Sequence, residues 1–351
     1  MPFIIFIDFD YFYAQVEEIM NPEIKERPVV VCVYSGRNET SGAVATSNYI
    51  ARSIGIKSGM PISQALKLGI DNAVFIPIRK DFYKSFSDRV MKIIASYSDI
   101  IEIASIDEAY IDVTDSCSTF SDAVELASEI KKDILKETGL RVSAGISSNK
   151  VLAKILGDMA KPDGIKFLDD PEIGAFLSTL EMKKIPGIGT VLSKKLSDEG
   201  VIYINDIIKA DKNAMLSILG NSKYNYLLSI ASNTYKKPVE NRIRKNYGRY
   251  ITLPEDTRDP GIIMKSIDAA LNSSYEKVPG MPMEISLIAI MEDLDIISRT
   301  YSGRPINKEE AEKLCADLLS KIMKDDTRKL RRIGVRLSKP NKNESLDDFF
   351  A

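Results

Sequence analysis

Two short stretches of the chain place carboxylates side by side: Asp8 and Asp10 flank Phe9, and Asp107 is followed directly by Glu108. Acids this close repel one another, and a hard divalent cation with oxygen ligands is the ordinary counter-charge. Histidine is absent, which excludes a Ser-His-Asp triad, an imidazole base and a His-ligated zinc. Cys32, Cys117 and Cys315 are isolated, with no CxxC spacing; they read as small apolar fillers of a reducing, intracellular protein. Mg²⁺ or Mn²⁺ is then the reasonable metal. Mg²⁺ held by few protein carboxylates shares its shell with substrate phosphates, so the pattern points to phosphoryl or nucleotidyl transfer. Acids at strand ends and turns are also common for structural reasons, and spacing alone leaves both readings open.

The elements that must position these acids follow from periodicity. Pro2 to Asp8 reads as a buried strand and Tyr11 to Met20 as a helix, with further apolar runs at 28–33 and 41–45. Arg79 to Ser96 is helical. Ile100 to Thr114 alternates around Ser105-Ile106-Asp107-Glu108-Ala109, which predicts a β-hairpin with acids at its tip. Asp8 and Asp10 would share a side if the strand continued, and Asp107 and Glu108 would point to opposite sides. If the first strand and the hairpin share a sheet, Asp8, Asp107 and Glu108 can converge at one edge. A helix over 120–137, a strand over 141–146 and a helix over 149–159 complete an α+β layer of the ferredoxin-like kind over 1–168.

Three further clusters bear on phosphate chemistry. Tyr49 and Arg52 lie three apart on a helical face, suited to gripping an anion. Lys161 sits in a Lys-Pro-Asp-Gly turn. Each of these also reads as an ordinary solvated group. Between 184 and 196, Pro186-Gly187-Ile188-Gly189 opens a helix, leaving free N–H groups where a phosphate oxygen binds well and glycines that allow close approach. Helix-hairpin-helix elements hold DNA in this way without reading bases; a plain helix-helix turn is the other reading.

With 351 residues the chain has room for two to four domains. Residues 170–235 read as short helices separated by Pro-Gly-Ile-Gly and Leu-Gly-Asn-Ser. Lys236 to Arg249 reads as a basic, exposed, extended linker, and 250–337 as a β-α-β-β-α-β module with strands at 250–253, 284–291, 295–300 and 330–337. The net charge of −2 argues on its face against a nucleic-acid binder. It averages over unlike parts, however: 236–342 hold 22 Lys and Arg against 16 Asp and Glu, whereas 1–235 hold 26 against 31. No apolar run is long enough to span a membrane, and none has the form of a signal peptide.

Assembled, these residues resemble the Y-family translesion DNA polymerases, in the archaeal DinB or polymerase IV branch. The resemblance is carried by Ile7-Asp8-Phe9-Asp10-Tyr11-Phe12-Tyr13-Ala14-Gln15-Val16-Glu17, Ser41-Gly42-Ala43-Val44-Ala45-Thr46, Asn48-Tyr49 with Arg52, Gly59-Met60-Pro61, and Ser105-Ile106-Asp107-Glu108-Ala109-Tyr110. Asn149-Lys150 with Ala153-Lys154, Ala160-Lys161-Pro162 and Ile185-Pro186-Gly187-Ile188-Gly189 continue it, in order, from residue 3 to about 337.

The resemblance implies a multidomain α+β right-hand polymerase: a ferredoxin-like palm (1–10 and 77–168), small fingers (11–76) and a helical thumb with its helix-hairpin-helix (169–235). A basic linker (236–249), a little-finger domain (250–341) and a tail (342–351) follow. It implies Asp8, Asp107 and Glu108 as catalytic acids holding two Mg²⁺ ions, with Mn²⁺ able to substitute, and the Phe9 carbonyl completing the shell. Tyr49, Arg52 and Lys161 would hold the dNTP triphosphate with Thr46 and the backbone of Tyr11 and Phe12. Tyr13 would be the steric gate against a 2′-OH, and Gly42, Ala43 and Ala45 would leave the base-pair pocket roomy. Gly187, Gly189, Lys245, Arg331, Arg332 and Arg336 would contact primer-template DNA. The expected enzyme is a low-fidelity, lesion-bypassing DNA-directed DNA polymerase without proofreading, acting as a cytoplasmic, nucleoid-associated monomer.

The tail Asn343-Glu-Ser-Leu346-Asp-Asp-Phe349-Phe350 resembles a sliding-clamp peptide, with Asn343 where Gln is usual and the plug Leu346, Phe349 and Phe350 intact. A nucleotidyl cyclase and a DNA-binding scaffold with a dead palm are the competing readings. The Pro186–Gly189 turn and the basic C-terminal module speak against the first, and the full set of acids against the second.

Overall fold

In the computed structural model, which describes residues 2–68, 72–241 and 244–341, the first strand, β1 (Ile4–Phe9), is buried along its whole length. Alternation sorts its side chains onto two faces. Ile5, Ile7 and Phe9 enter the largest apolar core, whereas Ile4 and Phe6 meet Tyr110, Ala153 and Val239 on the other side. Asp8 shares parity with Ile4 and Phe6.

The expected helix after β1 is α1 (Phe12–Met20). β2 (Val29–Tyr34) and β3 (Gly42–Ser47) take up the apolar runs read at 28–33 and 41–45. α2 (Tyr49–Ser53), α3 (Ile62–Lys67) and β4 (Val74–Pro77) follow, and the three strands form a sheet in the order β3-β2-β4, with β2 and β4 parallel. α4 (Lys80–Ala95) leads to the predicted hairpin, β5 (Ile101–Ile103) and β6 (Glu108–Asp112). Next come α5 (Phe120–Thr138), β7 (Val142–Ser147), α6 (Lys150–Ala160) and β8 (Ile165–Phe167).

The sheet order is β5-β6-β1-β7-β8, with β1 antiparallel to both β6 and β7. The central strand thus lies between the hairpin and a strand reached through α5, which is the ferredoxin-like layer expected over 1–168. β4 and β8 were not expected; they are short, and β8 adds parallel to β7 at the sheet edge. α6 lies unusually close to the sheet. A Cβ on Gly145 of β7 would fall 2.0 Å from the Ala153 carbonyl oxygen, and one on Gly157 of α6 would fall 2.6 Å from the Phe6 ring. Only glycine at both positions permits this contact, which sets the reach of every side chain that α6 presents to the sheet end.

Residues 170–235 are helical, as predicted: α7 (Asp170–Thr179), α8 (Thr190–Asp198) and α9 (Lys212–Ala231). Their core includes Ile185, Leu196, Ile204 and Leu227. The Leu-Gly-Asn-Ser break falls inside α9, where Gly220 at φ 69° interrupts the helix.

By contact the chain divides into two units. One comprises the described residues of 2–32, 44–60 and 68–241, and the other those of 33–43, 61–67 and 244–341. In the second, β9 (Asn246–Thr257), α10 (Pro260–Tyr275), β10 (Met281–Met291), β11 (Ile296–Ser302), α11 (Lys308–Asp325) and β12 (Leu330–Asn341) give the expected β-α-β-β-α-β order. The sheet runs β11-β10-β12-β9, all antiparallel, over a core with Leu253, Ile267, Leu287, Leu319 and Val335. Arg37 from the 33–43 segment belongs to this unit: its Nε donates to the Leu253 carbonyl at 2.7 Å and its guanidinium pairs with Asp256 at 2.6 Å.

One expectation needs correcting. The stretch 236–249 is not exposed and extended throughout, because Val239 is buried against Ile4, Phe6 and Tyr110, and residues from Asn246 already belong to β9. An apolar side chain within a charged run found a place on the face of the sheet that α6 covers, and strand pairing with β12 captured the basic end. Among the described residues no helix is long and apolar enough to cross a membrane.

Candidate active site

Antiparallel register sets Asp8 directly opposite Glu108 on β6 and opposite Ser143 on β7. The Phe9 N–H donates to the Asp107 carbonyl at 3.0 Å, which fixes the hairpin connection against the end of β1. The structure thus brings the three predicted acids to one end of the sheet. Facing carboxylates on paired strands destabilise the pairing unless something compensates them. Two lysines from the α6 side do so: Lys161 Nζ lies 2.7 Å from Asp8 Oδ2, and Lys154 Nζ lies 2.6 Å from Glu108 Oε1. Lys154 also lies over the Phe6 ring, 4.5 Å from its centroid. Asp107 accepts from the Ser105 hydroxyl at 2.5 Å. Burial pushes the Asp8 carboxyl up to about 7, with Glu108 and Asp107 adding to it and Lys161 opposing.

Asp10 does not share this site. The strand ends at Phe9, and the buried Asp10 carboxylate turns to the Ser143 hydroxyl at 2.8 Å and the Asp163 N–H at 2.6 Å. It anchors the turn that carries Lys161. Lys131 braces the same turn from α5, donating to the Val142, Asp163 and Gly164 carbonyls and to the Asp163 carboxylate. Neither Lys154 nor this bracing was foreseen. Lys154 stands in a quoted motif, four residues after Lys150, but only the glycine contact between α6 and β7 puts it in reach of Glu108.

The predicted nucleotide-side residues gather on the same unit. Asn48 caps α2, accepting from the Ala51 N–H at 2.9 Å, and so orients Tyr49 and Arg52 on one short helix. Arg52 lies over the Tyr49 ring at 5.1 Å and donates from Nε to the Ser47 carbonyl. The Tyr49 hydroxyl is buried without a hydrogen-bond partner. Burial raises it to about 12, with Asp10 and Asp8 adding to the shift and Arg52 and Lys161 opposing it. Buried polar atoms rarely stay unpaired, so this hydroxyl is available to an incoming acceptor. Tyr11 stacks edge-on against Tyr49 at 5.0 Å, and its hydroxyl donates to Glu18. Phe12 is buried, whereas Tyr13 is half-buried and stacked on Tyr83 at 4.6 Å. Ala45 and Thr46 are half-buried on β3.

In the helical region Gly187 and Gly189 are exposed, and a Cβ on either would meet nothing within 4 Å. Gly189 is the residue before α8, whose first turn receives no side-chain cap. A groove of about 600 Å³ here is lined by Lys183, Lys184, Gly189, Thr190, Ser193 and Lys194. In the second unit Lys245, Arg332 and Arg336 are exposed, while Arg331 is half-buried and pairs with Asp256 at 3.5 Å. Leu346, Phe349 and Phe350 lie outside the described residues.

Three carboxylates with a main-chain carbonyl beside them are a donor set suited to a hard divalent cation. As the side chains stand, Asp8, Asp107 and Glu108 each have a hydrogen-bonding partner of their own, Lys161, Ser105 and Lys154.

Comparison with known proteins agrees with this geometry. The impB/mucB/samB family model matches residues 7–158. DNA polymerase IV of Picrophilus torridus is 56% identical over 348 residues, covering 99% of this chain and 100% of that protein. The Metallosphaera sedula DNA polymerase IV is 50% identical, covering 99% of each. A chimeric Y-family DNA polymerase matches with a TM-score of 0.93 at 46% identity, over 97% of this chain and 100% of that one. An insertion ternary complex of Dbh DNA polymerase matches with a TM-score of 0.72 at 45% identity and the same coverage.

Fold and site therefore define a DNA-directed DNA polymerase of the right-hand, multidomain α+β class, with palm, fingers, thumb and little finger. The cyclase and scaffold readings fall away. The chain belongs to the Y-family of DNA polymerases, in the DNA polymerase IV branch.

Proposed function

We propose that this chain extends a primer 3′-OH with dNTPs on a DNA template, tolerating damaged template bases, at low fidelity and without proofreading. The observation that carries this reading is the facing pair Asp8 and Glu108, with Asp107 beside them and cationic side chains supplied from the α6 side. Asp8, Asp107, Glu108 and the Phe9 carbonyl would hold two Mg²⁺ ions, or Mn²⁺ in their place, whose Lewis acidity activates the 3′-OH and neutralises the leaving pyrophosphate.

The chain's own residues then have separate tasks. Lys161, Arg52 and the unpaired Tyr49 hydroxyl grip the triphosphate, with Thr46 and the Tyr11 and Phe12 backbone beside them, so that the α-phosphorus is presented in line. Tyr13, backed by Tyr83, stacks on the sugar and leaves no room for a 2′-OH. The small Ala45 keeps the base-pair pocket open. Gly187 and Gly189 with Lys183, Lys184 and Lys194 seat the duplex backbone, and Lys245, Arg331, Arg332 and Arg336 add non-specific phosphate contacts.

In this reading the palm comprises 1–10 and 77–168, the fingers 11–76, the thumb 169–235, the linker 236–249 and the little finger 250–341. The 342–351 tail engages a sliding clamp through Leu346, Phe349 and Phe350, and the protein works as a cytoplasmic, nucleoid-associated monomer. Incubation of the purified chain with a primed template, Mg²⁺ and dNTPs should lengthen the primer. Duplex binding without extension would overturn the reading.

A further inference from the structure

Neutralising two facing carboxylates with lysines has a consequence for the order in which ligands enter. Asp8 and Glu108 are register partners across β1 and β6, and each has an ammonium group within 2.7 Å. These lysines are not loose surface groups. Lys154 is on α6, pressed onto β7 by the Gly145–Gly157 contact, with its ammonium over the Phe6 ring. Lys161 follows α6 in the turn held by Asp10 and Lys131. With Asp107 held by Ser105, each of the three acids has a partner of its own.

A divalent cation placed among these acids would lie a few ångströms from both ammonium groups, and like charges at that range oppose one another. The ammonium groups must therefore give way. Lys161 has somewhere to go: it acts electrostatically on the Tyr49 hydroxyl, which is unpaired and has Arg52 over its ring, so an anion there competes with Asp8 for the lysine.

We propose that Lys154 and Lys161 act as internal counter-cations that exclude the divalent ion from the nucleotide-free enzyme, and that an incoming triphosphate draws Lys161 off Asp8, so that cation and nucleotide bind as a coupled pair. Lys154 is a positioning residue, whereas Lys161 also grips the triphosphate. The proposal rests on the assignment of Asp8, Asp107 and Glu108 as the metal acids. It adds a reason for the chain to wait for substrate before assembling its metal site. Coupling between two ligands is reciprocal, so removing a lysine should raise cation affinity when no nucleotide is present.

Free Mn²⁺ can be measured by electron paramagnetic resonance during titration of the full-length, nucleotide-free protein. Lys154→Met and Lys161→Met should each bind Mn²⁺ at least about fivefold more tightly than the unaltered chain. Lys154→Arg, which keeps the charge, should stay near the original affinity, and Mn²⁺ should raise the thermal midpoint of Lys154→Met more than that of the unaltered protein. Unchanged or weaker Mn²⁺ binding in both methionine variants, judged on folded protein by the same thermal scans, would overturn the proposal. An Asp8→Asn/Glu108→Gln double variant separates this failure from failure of the site assignment. If it binds Mn²⁺ as the unaltered chain does, the acids are not the metal site. If it loses binding while the lysine variants show no gain, only the counter-cation role is lost.

Discussion

The Asp10 carboxylate accepts the Asp163 N–H at 2.6 Å, joining the end of β1 to the turn that carries Lys161. Two residues after the acid that faces Glu108, a second acid thus serves position rather than chemistry.

Replacing Asp10 by Ala should leave the Asp163 N–H unpaired and let the Lys161 turn drift. A hydrogen bond to a charged group contributes about 1.5–3 kcal/mol, so the dNTP KM should rise about tenfold or more. The chemical step, read as kcat, should change much less. Asp10→Asn can still accept from Asp163 and donate to Ser143, and should recover most of the loss. Steady-state incorporation kinetics check this; equal effects of the two substitutions would remove the positioning role.

Lys150 and Glu102 form an ion pair whose side chains are only 5% and 1% exposed. Glu102 also accepts the Glu240 N–H, and Lys150 donates to the Pro238 carbonyl, so the pair holds the start of the 236–249 segment with Val239 as its apolar plug. Lys150→Met should cost about 3–5 kcal/mol by removing one partner of a buried ion pair, and Lys150→Met with Glu102→Leu should cost less than Lys150→Met alone. Chemical denaturation measures both.

Glu18 is buried, accepting from Asn48 Nδ2 at 2.7 Å and from the Tyr11 hydroxyl at 3.1 Å. Burial raises its pKa above 4.5 despite these hydrogen bonds. The folded chain therefore binds this proton more tightly than the unfolded one, and the stability it contributes is full below the unfolded pKa and lost as pH rises through the folded value. The thermal midpoint of the unaltered chain minus that of Glu18→Gln should fall as pH rises above about 4.5, the unfolded value. A constant difference would show that Glu18 does not titrate in this way.

Much of the site was legible because its residues lie at element ends that the sequence marks. β1 stops at acids, the hairpin turns at Asp107, and one pairing register then puts Asp8 against Glu108. What stayed hidden depends on approach in three dimensions. Lys154 is one lysine among many until Gly145 and Gly157 bring α6 down onto the sheet. Asp10 looked like a companion of Asp8 because alternation assumes that the strand continues, and it ends at Phe9. β4 and β8 are too short to show a period, and Val239 is a single apolar residue in a basic run whose partners, Ile4, Phe6 and Tyr110, are distant in sequence.

The assignment of chemistry to the facing acids is tested most directly by primer extension with Asp107→Ala, followed alongside duplex binding. Loss of extension by several orders of magnitude with duplex affinity retained is the expected result. Extension at the unaltered rate would contradict the placement of catalysis at Asp8, Asp107 and Glu108.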